Sequence, residues 1–223
     1  MSDEAPSGRS SRWLVVVVAL VLIAALAFAI GRFSTFGASA SAAAPGTSSP
    51  EAGFSRDMQV HHAQAIEMAM EIYRKTDDPE LRVLAYDIAT GQAGQRGEMY
   101  DWLVQWGLPQ SGGQTMAWMS ASEAGHDHAG TADQPLTDDE VREAMGMASA
   151  AEMNELASAT GQEADCLFLE LMIRHHQGAI PMAEALLELG TDPRALEVAQ
   201  AIKGGQTAEI DAMESIAARL GCD

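Results

Sequence analysis

Four long segments of the chain place apolar residues at the three- and four-residue spacing of an amphipathic helix. The pattern predicts helices over residues 54–74, 79 to about 106, about 163 to 189, and 193 to about 220. The third helix is expected to end at Gly190 in a left-handed conformation, which glycine favours. Asp78-Pro79 and Asp192-Pro193 supply a capping carboxylate and a first-turn proline for the second helix of each pair. Helices joined by so short a turn must lie antiparallel, so two helical hairpins are predicted.

The two hairpins are copies of one another. Met58-Gln59-Val60-His61-His62 reappears 114 positions later as Met172-Ile173-Arg174-His175-His176. The offset holds without a gap, and other matched pairs are Phe54 and Phe168, Ile66 and Ile180, Ile88 and Ile202, Gln92 and Gln206, and Met99 and Met213. One hairpin alone would leave its apolar stripe in water. The predicted fold is therefore an all-α four-helix bundle over residues 54–221, with repeat one at 54–107 and repeat two at 163–221.

The connector between the repeats, residues 108–162, contains glycines and a proline that interrupt any long helix. Thr137-Asp138-Asp139-Glu140 and Ser149-Ala150-Ala151-Glu152 have the spacing of capping boxes, which predicts two short helices. A connector of this length in a compact domain is either functional or disordered, and both interpretations stay open.

The amino-terminal part of the chain has a different composition. Residues 13–30 are apolar without a charge, and at about 1.5 Å per residue they reach roughly 27 Å, close to the thickness of a bilayer's hydrocarbon core. The pattern favours a cytoplasmic segment at 1–12, an uncleaved transmembrane signal anchor at 13–31 and a flexible linker at 32–53, rich in small residues. The rest would be extracytoplasmic, on a single-pass membrane protein. A signal peptide cleaved after Ala38-Ser39-Ala40, giving a secreted protein, is the alternative.

The charge of the chain excludes one class of partner. Its 13 basic and 32 acidic residues give a formal net charge of −19, which argues against binding to nucleic acid. The two cysteines are too few for a thiolate zinc site. Cys166 lies near the start of one helix and Cys222 near the end of its antiparallel partner, so export predicts a disulfide between them. Two independent thiols are the alternative.

All six histidines fall in three pairs, His61/His62, His126/His128 and His175/His176. Within each repeat a methionine precedes the pair by three positions and another follows its first histidine by seven. These are Met58 and Met68 in repeat one and Met172 and Met182 in repeat two. Packing the repeats together could bring four imidazoles and several thioethers to one site between helices. A purely structural role for the same residues is the alternative, and His126 and His128 could equally be solvated loop residues.

The ligand types favour copper. Imidazole suits several transition metals, and thioether sulfur favours copper(I). A symmetric di-iron site needs repeated glutamates, whereas Glu67 corresponds to Pro181 and Glu71 to Ala185, so such a site is disfavoured. Copper is therefore the favoured ion, ahead of iron and zinc. Gln92, Gln206 and Glu209 are candidates to hydrogen-bond the histidines. No nucleophile or phosphate-binding motif is present in the sequence, which favours a binding protein over an enzyme.

The double pattern resembles a known family. Phe54, Asp57-Met58, His61-His62, Ile66 and Met68-Ala69, with Phe168, Met172, His175-His176, Ile180 and Met182-Ala183, are similar to the domain-of-unknown-function family 305 over about residues 52–221. Met116-Ala117-Trp118-Met119 and Gly146-Met147-Ala148 of the connector also resemble it. The resemblance implies a ferritin-like four-helix bundle, secreted or membrane-anchored. Some relatives are periplasmic copper-binding proteins involved in copper tolerance. Carried over by motif, the ligands would be Met58, His61, His62, Met172, His175, His176 and Met182.

Three functions follow as hypotheses. The first is a membrane-tethered, extracytoplasmic protein that binds copper for sequestration, delivery or tolerance. The second is a ferritin-like metallo-oxidoreductase. The third is an interaction module that binds no metal.

Overall fold

A computed structural model describes residues 44–123 and 136–222, together with positions 13 and 23. The described residues from position 45 onwards belong to one compact unit. They form six α-helices and no strand, so the predicted all-α helical bundle is confirmed at that level. The α-helices are α1 (Pro50–Lys75), α2 (Pro79–Gln105), α3 (Asp138–Ala144), α4 (Ala150–Ser158), α5 (Gly161–Leu189) and α6 (Pro193–Leu220), and a 3₁₀ turn covers Ala117–Met119.

The helix starts follow the capping chemistry of the sequence. Asp78 and Asp192 each accept two backbone N–H groups of the helix that follows, at 2.9 to 3.1 Å. The two predicted capping boxes are present at Thr137 and Ser149. These side chains satisfy N–H groups that a helix cannot pair internally, and so they fix where α2, α3, α4 and α6 begin.

Two details of the predicted hairpins were wrong. Helix α1 begins at Pro50, four residues before Phe54, because the Ser49 hydroxyl caps it and Pro50 is suited to the first turn. Gly190 was expected to end α5 in a left-handed conformation, but its φ is −77°. Glycine is needed there for space instead, since a Cβ would lie 2.6 Å from the Leu186 carbonyl oxygen.

The extra turn of α1 ties the two hairpins together. Glu51 is buried and accepts the backbone N–H groups of Thr191 and Asp192, in the turn between α5 and α6, at 2.6 and 3.2 Å. The start of α1 therefore lies beside the end of α5, and the two helices run antiparallel. They pack together more extensively than α2 and α6 do, so the middle of the bundle is the face between α1 and α5.

The carboxyl end of the chain is fixed covalently. Cys166 in α5 and Cys222 after α6 form a disulfide, with their Cα atoms 5.3 Å apart. The transmembrane anchor predicted over residues 13–31 lies outside the described residues apart from two single positions. None of the helices that the structure does describe is both long and apolar enough to cross a membrane.

Candidate metal centre

The four helical histidines meet in the middle of the bundle, and all of them are completely buried. His61 of α1 and the equivalent His175 of α5 stack with their ring centroids 3.6 Å apart. His62 and His176 flank this pair, with centroids 6.4 Å from His61 and 6.3 Å from His175, respectively. The structure thus brings together the histidine pairs of the two repeats at the crossing of α1 and α5.

Three of the four imidazoles are held by an acceptor on one ring nitrogen. The Nε2 atom lies 3.0 Å from the Met145 carbonyl oxygen in His61 and 2.8 Å from Gln95 Oε1 in His62. In His176 it lies 2.7 Å from Glu209 Oε2. Because these oxygens accept hydrogen bonds, each Nε2 carries the proton and donates it. In a neutral imidazole that donates through Nε2, the Nδ1 atom keeps its lone pair.

The remaining ring nitrogens are buried without a hydrogen-bond partner among the described residues. They are Nδ1 of His61, His62 and His176 and both nitrogens of His175. A buried polar atom with no partner costs roughly 1–3 kcal/mol, so such a cluster calls for an explanation. Over residues 44–123 and 136–222, however, no three histidine, cysteine, aspartate or glutamate side chains are grouped to hold a metal ion by themselves. Any metal ion would need other ligands or a small rearrangement.

The candidate methionines lie in two apolar clusters, one on each side of the histidines along α1. Met58 and Met182 belong to the first cluster and Met68 and Met172 to the second, and all four are completely buried. Each cluster therefore combines a methionine that precedes one histidine pair with a methionine that follows the other. This is the arrangement that the duplication implies for two antiparallel copies.

A short segment of the connector covers the histidine crossing. Residues 145–148, called the strap below, supply the carbonyl that His61 contacts, and Gln64 holds Ala148 through two 2.8 Å hydrogen bonds. On the other helix, Gly178 stands at the position equivalent to Gln64. A Cβ on Gly178 would lie 1.9 Å from the Met145 carbonyl oxygen. Repeat one thus binds the strap through hydrogen bonds of Gln64, and repeat two leaves space for it at Gly178.

Further connector contacts explain why Asp57 does not recur in the second repeat. Its Oδ2 atom accepts the Met116 N–H and the Trp118 indole N–H, both at 2.9 Å. Burial raises the pKa of this carboxyl, although these hydrogen bonds oppose the shift. Asp57 therefore fastens the connector to α1. Met116 and Met119 are buried in the first apolar cluster, whereas His126 and His128 lie outside the described residues.

The residues around the histidines differ in part from those expected. Glu209 contacts His176 as the sequence suggested, but Gln95 and not Gln92 holds His62. Gln92 and Gln206 are buried, and their side-chain amides have no partner within the described chain. Gln95 could have been found from the repeat, because it is the equivalent of Glu209 at the same 114-residue offset.

Burial keeps His61, His62 and His175 neutral. Burial lowers the pKa of His61 to about 4 and that of His62 to about 3, and neighbouring histidines reinforce both shifts. Burial also lowers the pKa of His175 well below its ordinary value, again with repulsion from the other three rings. At neutral pH the lone pairs of these rings are therefore not lost to protonation.

We expect the stability of the metal-free protein to fall as the pH decreases from about 6.5 to 5. The unfolded chain binds protons at these histidines below about pH 6.5, whereas the folded chain does not until the pH approaches the lowered pKa values. Each histidine should contribute a slope of up to about 1.4 kcal/mol per pH unit. Urea unfolding at several pH values measures this slope, and His62→Gln should reduce it. A stability that does not change between pH 6.5 and 5 would contradict the expectation.

Comparison with known proteins places the chain in a family. Residues 51–217 match the profile described as "Domain of unknown function (DUF305)". A DUF305 protein from Streptomyces coelicolor, described as secreted, is 36% identical, with a TM-score of 0.68 over 80% of this chain and 96% of that one. A DUF305 fragment from Deinococcus radiodurans is 31% identical, with a TM-score of 0.61 over 76% and 96%.

A third relative was solved with metal ions. CopM in its Cu(I)-bound form is 27% identical, with a TM-score of 0.54 over 77% of this chain and 96% of CopM. Structures of CopM with Cu(II), with silver and without metal also match. No protein with curated annotation matches the chain. The profile match over most of the sequence shows that this chain belongs to the DUF305 family.

Proposed function

We propose that this protein binds copper outside the cytoplasm, tethered to the membrane by residues 13–31, and serves in copper sequestration, delivery or tolerance. The ion would be held at the crossing of α1 and α5 by imidazoles of the four buried histidines. Thioethers of Met58, Met68, Met172 and Met182 would complete the site, and His126 and His128 remain candidates for a further contribution. The ferritin-like classification of the bundle also stays a prediction.

One observation carries this proposal. Three buried histidines donate Nε2–H to an oxygen acceptor, and their Nδ1 atoms are buried without a partner among the described residues. Histidines that bind metal ions are usually oriented in this way, with the second nitrogen donating to a carboxylate or carbonyl oxygen. A purely structural role leaves the cost of five partnerless ring nitrogens unexplained.

The donor set decides which metal fits best. Imidazole and thioether together suit copper, and thioether sulfur in particular favours copper(I). Glu209 of repeat two corresponds to a glutamine, Gln95, in repeat one, so the two repeats do not supply a pair of glutamates at the histidines. This arrangement is a poor fit to a carboxylate-bridged di-iron centre. Bound copper would supply an ion that can change oxidation state, and the buried rings would shield it from water.

The family comparisons support both parts of the proposal. CopM, which is 27% identical in sequence to this chain, was solved with Cu(I), Cu(II) and silver. The protein from Streptomyces coelicolor, 36% identical, is described as secreted. An extracytoplasmic location also agrees with the disulfide between Cys166 and Cys222, because such bonds persist in oxidising compartments.

Metal analysis of the full chain, exported by its own signal and purified without chelator, tests this function. We expect copper to be retained in preference to iron and zinc, with no oxygen- or peroxide-dependent turnover. Iron together with such turnover would support an oxidoreductase instead. Absence of any bound metal after growth with added copper would contradict the proposal and favour an interaction module.

A further inference from the structure

The outer face of α2 carries a row of exposed apolar residues. Val83, Tyr86, Tyr100 and Val104 are 61%, 52%, 53% and 55% exposed. Thr90, Ala93 and Gly97 fill the middle of the same row, also exposed, at alternating spacings of three and four residues. We call these seven residues, Val83, Tyr86, Thr90, Ala93, Gly97, Tyr100 and Val104, the α2 stripe. Such spacing is that of the a and d positions of a coiled coil.

The duplication provides an internal comparison for this face. The equivalent exposed positions of α6 are Glu197, Gln200, Gly204, Thr207, Asp211, Glu214 and Ala218. Helix α6 therefore has the polar outer face expected of a helix that borders water, whereas α2 has an apolar one. Since both helices pack one face on the same bundle, the bundle itself does not require an apolar outer face on α2.

The glycines of α2 support a close approach by another chain. No described atom lies within 4 Å of a Cβ built on Gly97, in the stripe, or on Gly94 beside it, so packing within the bundle does not require glycine at these positions. Each costs about 1 kcal/mol relative to alanine in a helix interior. Glycine and other small residues at the centre of a helix face allow a second backbone to come close.

Charged residues flank the α2 stripe on both sides in a regular pattern. Arg82 and Arg96 each lie one position before a stripe residue, and Asp87 and Asp101 each lie one position after. These are the g and e positions of the same heptad pattern. Arg96, Asp87 and Asp101 form no ion pair within the described chain, and Arg82 donates to the carbonyl oxygens of Tyr73 and Thr76.

We propose that the α2 stripe is the interface of a homodimer, in which α2 packs parallel and in register against α2 of a second copy. In this arrangement each g position faces the e position five residues later on the other chain. Arg96 then meets Asp101 of the second copy, and Arg82 meets Asp87. The two-fold axis repeats both pairs, and the valines and tyrosines of the stripe are covered at each end.

The charges select this direction over the reverse one. In an antiparallel pair centred on the stripe, Asp87 would lie beside Asp101 of the second copy, and the arginines would face Ala89 and Leu103. Like charges placed opposite each other in a coiled coil disfavour that pairing. Only the parallel arrangement pairs all four charged flanking residues with opposite charges.

Cysteine crosslinking of the full chain under mild oxidation tests the geometry. In the parallel dimer, Gly97→Cys lies opposite its own copy, and it should give a disulfide-linked dimer on a non-reducing gel. In the antiparallel arrangement the two cysteines would be about 10 Å apart along the axis, beyond the reach of a disulfide. Thr207→Cys, exposed on the outer face of α6, is the matched control and should stay monomeric. Crosslinking only in a mixture of Thr90→Cys and Gly97→Cys chains would overturn the parallel proposal.

A charge exchange tests the specificity of the same interface. Arg96→Glu alone and Asp101→Arg alone should each weaken the Gly97→Cys crosslink at least about fivefold, because each creates two like-charged contacts. Mixing these two variants should restore the crosslink between them, since both pairs are then opposite in charge. Three results would overturn the homodimer. One is equal crosslinking of all the variants and of the Thr207→Cys control, and another is that every Gly97→Cys protein stays monomeric. The third is that residue 97 crosslinks to a different protein. None of these results depends on bound metal.

Discussion

Replacing Gly178 by alanine is expected to lower the free energy of unfolding by about 3 kcal/mol, at the upper end of the usual cost of overpacking. The new Cβ would lie 1.9 Å from the Met145 carbonyl oxygen and 2.7 Å from the Gly146 nitrogen. These are backbone atoms of the strap, which cannot turn aside as the end of a flexible side chain would. The strap must therefore move away from α5, and His61 then loses the acceptor of its Nε2–H.

Gly205→Ala is the matched control for this prediction. Gly205 also lies inside a long helix of repeat two, but no described atom comes within 4 Å of its added Cβ. The change should stabilise the protein by up to about 1 kcal/mol through helix propensity. Urea unfolding followed by circular dichroism compares both variants with the parent chain. A Gly178→Ala variant whose free energy of unfolding is within about 0.5 kcal/mol of the parent would show that the strap does not pack tightly against Gly178.

The helices and the histidine cluster could be predicted because their causes are local or repeated. Apolar spacing gave the four long helices, and Asp-Pro gave the starts of α2 and α6. His61 and His175 are separated by the same 114 residues as the rest of the duplication, which implied that the two copies pack around a shared axis. The structure places these two rings in direct contact, 3.6 Å between centroids.

The strap could not be predicted because it depends on contacts between segments distant in sequence. Nothing near Met145 indicates that its carbonyl oxygen will accept a hydrogen bond from His61, 84 residues earlier. The one available signal was a break in the repeat, where Gly178 replaces Gln64. The early start of α1, in contrast, has a local signal in Ser49, which caps the helix, and Pro50, which suits its first turn. Only the contact of Glu51 with a turn about 140 residues away could not be predicted.

The same breaks in symmetry give the two halves of the histidine cluster different surroundings. His176 donates to a carboxylate, Glu209, whereas His62 donates to the neutral amide of Gln95. A carboxylate partner makes an imidazole a more basic ligand than an amide does. The half of the site contributed by α5 is therefore expected to be the stronger donor to a cation.

Replacement of candidate ligands is expected to have the largest effect on copper binding. Met58→Leu with Met182→Leu keeps the core volume nearly constant but removes two thioethers. We expect copper(I) affinity to fall at least about 100-fold, equivalent to about 2.7 kcal/mol, and copper(II) affinity to fall less. Met99→Leu with Met213→Leu is the control, because these two methionines are equivalent, equally buried and outside the proposed ligand set. It should bind copper like the parent chain.

The most direct test of the proposed site is a copper(I) competition titration of the compact unit, residues 45–223, with all four helical histidines intact or replaced by alanine. The unit should start at residue 45, because Arg56 in α1 contacts Thr47 through two hydrogen bonds. Circular dichroism tests whether each variant is folded. If the variant with four alanines is unfolded, the Met58→Leu, Met182→Leu protein replaces it in the titration. We expect binding far tighter than millimolar for the parent unit and no tighter than about millimolar without the histidines. Millimolar binding by the parent unit, or unchanged affinity in a folded variant that lacks the four histidines, would rule out the proposed copper site.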